Sequence, residues 1–365
     1  MEHLGTAVKS VSATTSRRTQ GGPPSRSPRS LVKRVLPARA RRALGRLSFA
    51  RARAAKVASI RNAFRYDEDR YIKYSSTISS RISRQNHAAR MTVLYHNLEK
   101  GLALPAPRPG FGADIVRMLL DVRDEYIRSY AADEISASAD AALVAYREFN
   151  LATGLPIDAI PHLERLQRLE SPDRSGGTKT VRKRDVLACV AGVDEEFFLS
   201  RSSVRRFDGR DIADSDIEFA VRVAQKSPAV CNRQYSHVYV TTDPARVALA
   251  LQMQAGARGF CDQVPAVAVV TTNMRTFSGP GERMQAWTDG GMFAMSFVLG
   301  LHAKGLGAVC LNWSKTETDD RAFHAAFDLS EEEVIVMLVA FGHLPEEVQV
   351  AVSPRVAIHE ALRRL

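Results

Sequence analysis

Cysteine is scarce in this sequence of 365 residues, and its four copies lie far apart. They are Cys189, Cys231, Cys261 and Cys310, and no two of them form a C-x-x-C pair. Zinc ribbons and disulfide scaffolds need closely spaced cysteines, so both classes are excluded and no metal site is expected. A reducing, cytoplasmic location fits this pattern best.

Long hydrophobic runs are missing as well. The longest uninterrupted run, Val334 to Phe341, is far shorter than a membrane span and is typical of a buried strand. The glycine fingerprint of dinucleotide-binding domains is also absent, because Gly305-Leu306-Gly307 lacks both the third glycine and the preceding strand. A Rossmann domain is therefore not expected.

Acidic residues are nearly absent from the first 65 positions, which hold sixteen Lys and Arg and one Glu. Their net charge is +15, whereas that of the whole chain is +11, so residues 66–365 carry a net charge of −4. Their Ser, Arg, Pro and Gly content cannot bury enough apolar surface, which predicts a disordered basic tail over residues 1–65. Alternatively, residues 31–65 could form a basic amphipathic helix that weakly contacts acidic lipid or nucleic acid.

Residues 66–190 are predicted to form a helical region. Helical spacing extends over Tyr71 to Lys100 and over Asp114 to Tyr130. The second helix shows an apolar stripe, which predicts that the two helices pack together. The stripe consists of Ile115, Leu119, Val122 and Tyr126. Gly101 is predicted to cap the first helix.

The loop after the first of these helices is a candidate substrate site. Glu99, Lys100 and Arg108 lie close together in sequence among glycines and prolines, and the Pro/Gly run from residue 105 to 112 would hold Arg108 rigidly. His96 and Glu99 share a helix face, but one such pair does not fill a metal coordination sphere. The alternative is a purely structural helical hairpin.

Residues 191–365 predict an α+β domain. A short acidic and aromatic helix is expected from Asp194 to Leu199, and Asp214 or Ser215 can cap another that extends through Lys226. Further helices and strands follow. They are a helix starting at Pro244, an apolar helix from Trp287 to Lys304 ended by Gly305, and strands at His237 to Val240, Val267 to Val270 and Val334 to Ala340.

The segment Arg201-Ser202-Ser203-Val204-Arg205-Arg206-Phe207 is a candidate anion site. In an extended chain Arg201, Ser203 and Arg205 point the same way. Guanidinium groups match phosphate oxygens bidentately, so this segment is suited to a phosphate monoester. By itself, however, an Arg/Ser run is more often a solvated surface segment.

Together with later segments, this run resembles the nitroreductase family of flavin mononucleotide (FMN) enzymes. The later segments are Ser227-Pro228-Ala229-Val230-Cys231-Asn232-Arg233-Gln234, the helix from Asp289, the turn Lys304 to Val309 and Ser353-Pro354-Arg355. The resemblance covers roughly residues 194–365. It implies a three-layer sandwich with a central, mainly antiparallel sheet flanked by helices, and a homodimer with FMN at each interface.

The resemblance also implies the site residues. Arg201, Ser203, Arg205 and Arg355 would hold the flavin phosphate. Residues expected to line the flavin ring are Pro228, Asn232, Gln234, Asn312 and Trp313. The loop departs from the family pattern, since a Ser, a Pro and a Trp are replaced by Ala229, Tyr235 and Ser236. Trp313 is equally typical of a core aromatic at a strand end.

The expected activity is two-electron transfer from NADPH, NADH or another donor through FMN to a small-molecule acceptor, with the chemistry performed by the cofactor and no catalytic side chain required. Three alternatives stay open. One is a non-reductase reaction on the same scaffold, such as flavin cleavage, dehalogenation or dehydrogenation. A second is a non-catalytic binding module. The third is a nucleic-acid or membrane-surface protein that binds through its basic tail.

Overall fold

The structure, a computed structural model, describes residues 38–76, 83–170 and 176–365. Residues 1–37, most of the predicted tail, lie outside the described residues. The chain divides into two units, residues 1–62 and residues 63–365. Helix α1 (Ala38–Tyr74) begins within the first unit and ends within the second.

Helix α1 corrects the predicted extent of the basic tail. Residues 38–65 are helical where the sequence predicts disorder. Alanine and arginine are among the strongest helix formers, so this segment forms a helix although it has little apolar surface to bury. The alternative prediction of a basic helix agrees with the structure from residue 38 onward, and its contact with lipid or nucleic acid stays a prediction.

The C-terminal end of α1 is fixed within the second unit by buried Arg70. Its Nη2 donates to the carbonyl oxygens of Glu331 at 2.6 Å and Glu333 at 2.9 Å, and its Nη1 lies 3.4 Å from Oδ2 of Asp320. The Tyr66 hydroxyl donates to the same carboxylate at 2.8 Å. A buried charge is thereby paired and fully hydrogen-bonded, as stability requires.

The predicted helix from Tyr71 to Lys100 is not continuous. Helix α1 ends at Tyr74, and α2 (Arg84–Leu102) begins after Ser83. The Ser83 hydroxyl accepts from the Asn86 backbone N–H, and the Asn86 side chain accepts in return from the Ser83 N–H. This capping box starts a new helix, a local signal that the apolar periodicity does not contain.

Helices α2, α3 (Ala113–Tyr130) and α4 (Glu134–Ala152) form a bundle around one apolar cluster. The predicted packing of α2 against α3 is confirmed: Leu119, Val122 and Tyr126 are buried and Ile115 is partly buried in this cluster. Gly101 does not cap α2, which ends one residue later. A Cβ at Gly101 would lie 2.2 Å from Cε2 of Phe111, so the glycine makes room for that ring.

Short helices connect the bundle to the sheet. They are α5 (Leu163–Leu166), α6 (Lys183–Val190), α7 (Glu195–Leu199) and α8 (Asp214–Ala224). The predicted helix after Asp194 is confirmed as α7. The predicted cap of α8 is wrong, because Ala213 occupies the N-cap position and makes no side-chain bond there.

The rest of the chain alternates strands and helices, which confirms a mixed helix and sheet fold. The elements are β1 (Ser236–Thr241), α9 (Pro244–Gln254), β2 (Ala266–Asn273), α10 (Gln285–Ala303), β3 (Leu306–Asn312), α11 (Glu317–Phe327), β4 (Glu333–His343) and α12 (Ile358–Ala361). The four strands are antiparallel in the order β1-β2-β4-β3.

Alternate side chains of the strands enter two separate apolar clusters. One cluster joins Val267 and Val269 of β2 to residues of α9 and α11, including Leu251 and Phe323. The other joins Ala266, Ala268 and Val270 of β2 to residues of α8 and α10. Helices therefore contribute to a core on each face of the sheet, as a strand period of two requires.

Close packing of α10 against α8 depends on Gly300. A Cβ at this position would lie 2.6 Å from the Cα of Ala220, and backbone atoms cannot move aside cheaply. We expect Gly300→Ala to lower the free energy of unfolding by about 1–3 kcal/mol. Gly291→Ala in the same helix is the matched control, because nothing lies within 4 Å of the added methyl group. Urea unfolding should show that Gly291→Ala slightly raises the free energy of unfolding. Equal effects of the two substitutions would contradict close packing at Gly300.

Candidate functional site

The predicted phosphate-binding segment is anchored on strand β3. The Val204 N–H donates to the carbonyl oxygen of Ala308 at 3.0 Å, and Ser203 pairs with Ala308 in a parallel bridge. Val204 is buried, and a Cβ at Gly307 would approach its Cβ to 3.0 Å. The backbone of the segment is thus bonded to β3 at Ser203 and Val204, and Arg201, Ser202 and Val204 line the adjacent cavity, whereas Ser203 and Arg205 are not part of its lining.

The guanidinium groups of this segment have no acidic partner among the residues that the structure describes. Arg201 is half-buried, and the Nη1 of exposed Arg205 donates only to the carbonyl of Ser203, at 3.4 Å. Burial raises the pKa of the Cys310 thiol on β3, and the positive charge of Arg201 opposes that shift. Arg201 therefore lies near the sheet with its donors free for an anion.

A cavity of about 210 Å³ lies beside this segment. Its lining includes Arg201 and Ser202, Gly307 of β3, and Val348 and Val350 of the C-terminal segment. Residues near the start and near the end of the predicted domain 191–365 therefore line the same cavity.

Arg355 is not brought to the other phosphate residues. It is exposed, and its guanidinium donates to the carbonyl of Ser353 in its own segment. Within the described ranges no hydrogen bond or ion pair links it to Arg201, Ser203 or Arg205. Its predicted role as a fourth phosphate ligand stays a prediction.

The loop predicted to line the flavin ring, residues 227–236 and called the ring loop below, contains an unusual group of residues with left-handed backbone. Cys231, Asn232 and Gln234 have φ values of 49°, 56° and 52°. The Gln234 side-chain amide donates to Oδ1 of Asn232 at 3.0 Å, which joins the two predicted ring residues directly. Pro228 and Gln234 both line a cavity of about 140 Å³. Strained backbone of this kind persists only where the surroundings hold it, and it is concentrated at functional sites.

Buried Asp289 of α10 holds the ring loop, a role that sequence reasoning missed. Its Oδ2 accepts from the Val230 N–H at 3.1 Å, and its Oδ1 accepts from Gln285 at 2.7 Å. Nearby, the Ser227 hydroxyl donates to Ser296 Oγ at 2.7 Å. The available signal was a carboxylate inside an otherwise apolar helix, since such a group is buried only when it is hydrogen-bonded.

Arg233, also missed, anchors the loop from the other side. Its Nη1 donates to the Thr276 carbonyl at 2.6 Å, and its guanidinium forms a bidentate pair with Glu282 at 2.6 and 3.0 Å. The side chain is 4% exposed and lies over the Phe277 ring. Arg233 is therefore a structural residue of the loop and not a free anion ligand.

Tyr235 links the ring loop to the helical bundle. It packs against the apolar cluster of α2, α3 and α4. Burial raises the pKa of its hydroxyl to about 12, with Arg84 opposing the shift. Tyr235 stands where the family pattern has a proline, and it contacts the helical bundle, which the resemblance does not include.

The two predicted ring residues after β3 lie in different environments. The Trp313 indole donates to buried Asp320 at 2.6 Å and packs edge-on against Phe323, with ring centroids 4.6 Å apart. Trp313 thus fits the alternative of a core aromatic at a strand end. Asn312 is exposed, and its amide donates to Ser314 Oγ at 2.7 Å.

Within the described ranges, no hydrogen bond or ion pair joins Glu99, Lys100 or Arg108 to the ring loop. Glu99 accepts from the Gly177 N–H and pairs with His96, both at 3.1 Å. Lys100 and Arg108 are exposed. The contact between His96 and Glu99 agrees with their predicted shared helix face, while a substrate role for Glu99, Lys100 and Arg108 stays a prediction.

A titratable pair lies at the β1 end of the sheet. Nδ1 of His237 is 3.2 Å from Oε2 of Glu333, which also accepts from Thr271 at 2.5 Å, while Oε1 accepts from Asn273 at 2.8 Å. Burial opposes the charge on each group. Even so, the carboxylate raises the pKa of His237 above 6.5, and the imidazole together with the two polar neighbours lowers the pKa of Glu333 below 4.5.

This pair predicts a pH-dependent stability. The His237 contribution is complete below the unfolded-state pKa of about 6.5 and is lost as pH rises through the higher folded-state value. The Glu333 contribution is present above its ordinary pKa and is lost as pH falls through the lowered folded-state value. Urea unfolding should therefore show that His237→Gln costs more stability at about pH 6 than at about pH 8. A cost that is independent of pH would contradict the charged pair.

No helix in residues 38–76, 83–170 or 176–365 is long and apolar enough to cross a membrane. Nor do these ranges contain a group of three or more His, Cys, Asp or Glu side chains placed to hold a metal ion.

Residues 243–343 match the model of the nitroreductase family. This match lies in the C-terminal half of the chain and confirms the resemblance for residues 243–343, from the start of α9 to the end of β4. The match does not include the Arg201 segment, the ring loop or Arg355. No curated protein matches the chain significantly.

Several solved structures are similar to a part of this chain. An FMN-dependent nitroreductase from Clostridium difficile is 15% identical, covers 43% of this chain and 91% of its own, and has a TM-score of 0.37. A nitroreductase-like protein from Streptococcus mutans is 16% identical over 47% of this chain and 96% of its own, with a TM-score of 0.41. NfrA2 of B. megaterium is 17% identical over 46% and 72%, with a TM-score of 0.41. At such low scores these similarities assign no function to this chain.

Proposed function

We propose that this chain is an FMN-dependent oxidoreductase of the nitroreductase type, which passes two electrons from NADPH, NADH or another donor to a small-molecule acceptor. The nitroreductase-family match supports an oxidoreductase of this kind. Bound FMN would supply the redox chemistry, and the protein would supply binding and orientation. The expected three-layer sandwich is part of the same proposal.

The observation that carries the proposal is the anchored segment at Arg201. Its backbone is bonded to β3, and its guanidiniums have no acidic partner in the part of the chain that the structure describes. A phosphate monoester carries about −1.5 to −2 charges and three acceptor oxygens, which suits unpaired Arg201 and Arg205 with the Ser203 hydroxyl. The residues present therefore fit the phosphate of FMN.

The ring side of the site would be completed by a second copy of the chain. The cavities beside Arg201 and beside Pro228 measure about 210 and 140 Å³, below the roughly 300 Å³ at which small-molecule sites usually begin. Met292 and Met295 of α10 are 37% and 45% exposed, and the C-terminal segment exposes Val352, Val356 and Ile358. Apolar surface of this kind supports a homodimer.

Anaerobic reduction of the purified protein tests the proposed activity. FMN is added, its visible absorbance is recorded, and NADPH or NADH is then supplied. Bleaching of the bound flavin is the expected result, and sedimentation of the same sample should give a dimer. Flavin that binds but stays oxidised with both donors would exclude NADPH and NADH as electron donors and would point to another donor or to a non-reductase reaction.

A non-reductase flavin reaction is the second candidate. It is favoured by the altered loop, in which Tyr235 contacts the helical bundle and Arg233 is fixed by Glu282. Bound flavin that stays oxidised with both nicotinamide donors would favour this candidate over the first.

A further inference from the structure

A second cavity, of about 350 Å³, lies between helix α2 and the segment after β2. Its volume is within the range of small-molecule sites. It is lined by Ser76, Asn86, His87, Ala89, Arg90, Val93, Arg233, Thr276 and Ser278. Arg233 belongs to the ring loop, whose neighbouring residues Pro228 and Gln234 line the 140 Å³ cavity. Helix α2 of the bundle therefore forms one wall of the cavity, the segment after β2 contributes Thr276 and Ser278 to the other, and the ring loop contributes Arg233.

Most polar groups of this cavity already have partners and build its walls. The Asn86 amide donates to Ser76 Oγ at 3.0 Å and to the Arg275 carbonyl at 2.6 Å. The Thr276 hydroxyl donates to the Asn273 carbonyl at 2.9 Å. Arg233 is held by Glu282 and by two carbonyls. The cavity is thus framed by fixed groups and would not need to reorganise to accept a ligand.

Two other groups of the lining, the Arg90 guanidinium and Nδ1 of His87, have no hydrogen-bond partner within the described residues. Arg90 is exposed, and no hydrogen bond, ion pair or ring contact within the described residues holds its guanidinium. His87 is 7% exposed, and its Nδ1 is buried without any hydrogen-bond partner. Its Nε2 lies 3.8 Å from Glu125. A buried, unsatisfied ring nitrogen is costly, and a native protein keeps one for a reason such as strain, a catalytic role or a bound water or ion.

The charge of the lining selects the class of ligand. Two of the described lining residues are arginines and none is acidic. Arg90 supplies the free guanidinium, and the hydroxyl-bearing residues Ser76 and Ser278 line the same space. Ala89 and Val93 add an apolar strip on the helix wall. A small organic anion with an apolar body matches this lining, because an unpaired guanidinium favours a carboxylate or a similar acid.

We propose that this cavity binds a small organic anion, with its acid group paired to Arg90 and its apolar body against Val93. If the proposed function holds, the position beside the ring loop makes this anion the electron acceptor; that identification alone rests on the proposed function. Binding of the anion itself requires no flavin.

The probe pair is phenylacetate and phenylacetamide, which have nearly the same shape and differ in charge. Calorimetric titration of the full chain, without flavin, should show that phenylacetate binds about tenfold or more tightly than the amide. Arg90→Ala should remove most of that preference, and Arg90→Lys should keep part of it. Arg128→Ala, at another exposed arginine of the bundle, should change nothing.

A variant that blocks the cavity distinguishes binding inside it from a general attraction of anions to positive surface charge. Val93 is partly exposed, so Val93→Trp should fill the cavity without entering the core and should weaken both probes alike. Equal binding of acid and amide, unchanged binding in Arg90→Ala or Val93→Trp, or binding of neither probe would overturn the proposal. If Arg90→Ala loses anion binding and no sample binds flavin, the proposed function is contradicted but the anion site in the cavity is supported.

Discussion

Arg201→Ala weakens the binding of FMN by about 10- to 100-fold, because it removes a charge-assisted bond to the phosphate. The Arg201 guanidinium has no acidic partner within the described ranges, so the loss falls on the ligand and not on the fold. Quenching of flavin fluorescence during titration measures the change. The same titration with riboflavin, which lacks the phosphate, should show little difference between wild type and variant.

Arg206→Ala is the matched control for this prediction. Arg206 is exposed like Arg205 and follows it directly, but an extended chain turns it to the opposite side. Its replacement should leave FMN affinity unchanged. Equal losses for Arg206→Ala and Arg201→Ala would mean that the segment attracts FMN only through its general positive charge.

Arg70→Met lowers the free energy of unfolding by about 3–5 kcal/mol, the usual cost of breaking a buried ion pair. The substitution leaves Asp320 with one ionic partner fewer and removes the donors for the carbonyls of Glu331 and Glu333. Urea unfolding monitored by circular dichroism measures the change.

Lys73→Ala, one turn farther along α1, is the control for Arg70. The Lys73 ammonium lies 2.8 Å from Glu331, but the two side chains are 61% and 52% exposed. Exposed pairs contribute about 1 kcal/mol or less. If both substitutions cost the same small amount, α1 would not be fixed by the buried contacts of Arg70.

Local sequence patterns predicted the elements of the C-terminal half well. The apolar run from Val334 to Phe341 became the core of β4, and Pro244 begins α9 as predicted. The stripe of α3 is buried in the bundle. These predictions succeed because strand and helix periodicity directly reflect which side chains face a core.

Contacts between distant segments were not predictable in this way. The anchoring of the ring loop by Asp289, the pairing of Arg233 with Glu282 and the insertion of Tyr235 into the bundle all join segments far apart in sequence. Periodicity reports burial but not the identity of a partner. For the same reason Trp313 could be a pocket wall or a core residue until its bond to Asp320 was seen.

The bundle also changes how the candidate site is understood. Sequence reasoning placed the substrate contacts at the far end of α2, near Glu99 and Arg108. The structure brings the beginning of α2, with Asn86, His87 and Arg90, to a second cavity next to Arg233, while the substrate role at the far end stays a prediction. The direction in which a helix packs is set by tertiary contacts, so spacing alone could not choose between its two ends.

The most direct test of the account is whether the purified chain binds FMN at all. Flavin-free protein is titrated with FMN, and bound and free flavin are separated by gel filtration. The visible spectrum and the fluorescence of each fraction are then recorded. The account predicts one FMN retained per chain, in a dimer. Protein that remains colourless and does not retain added FMN would contradict the assignment of Arg201, Ser203 and Arg205 to the flavin phosphate.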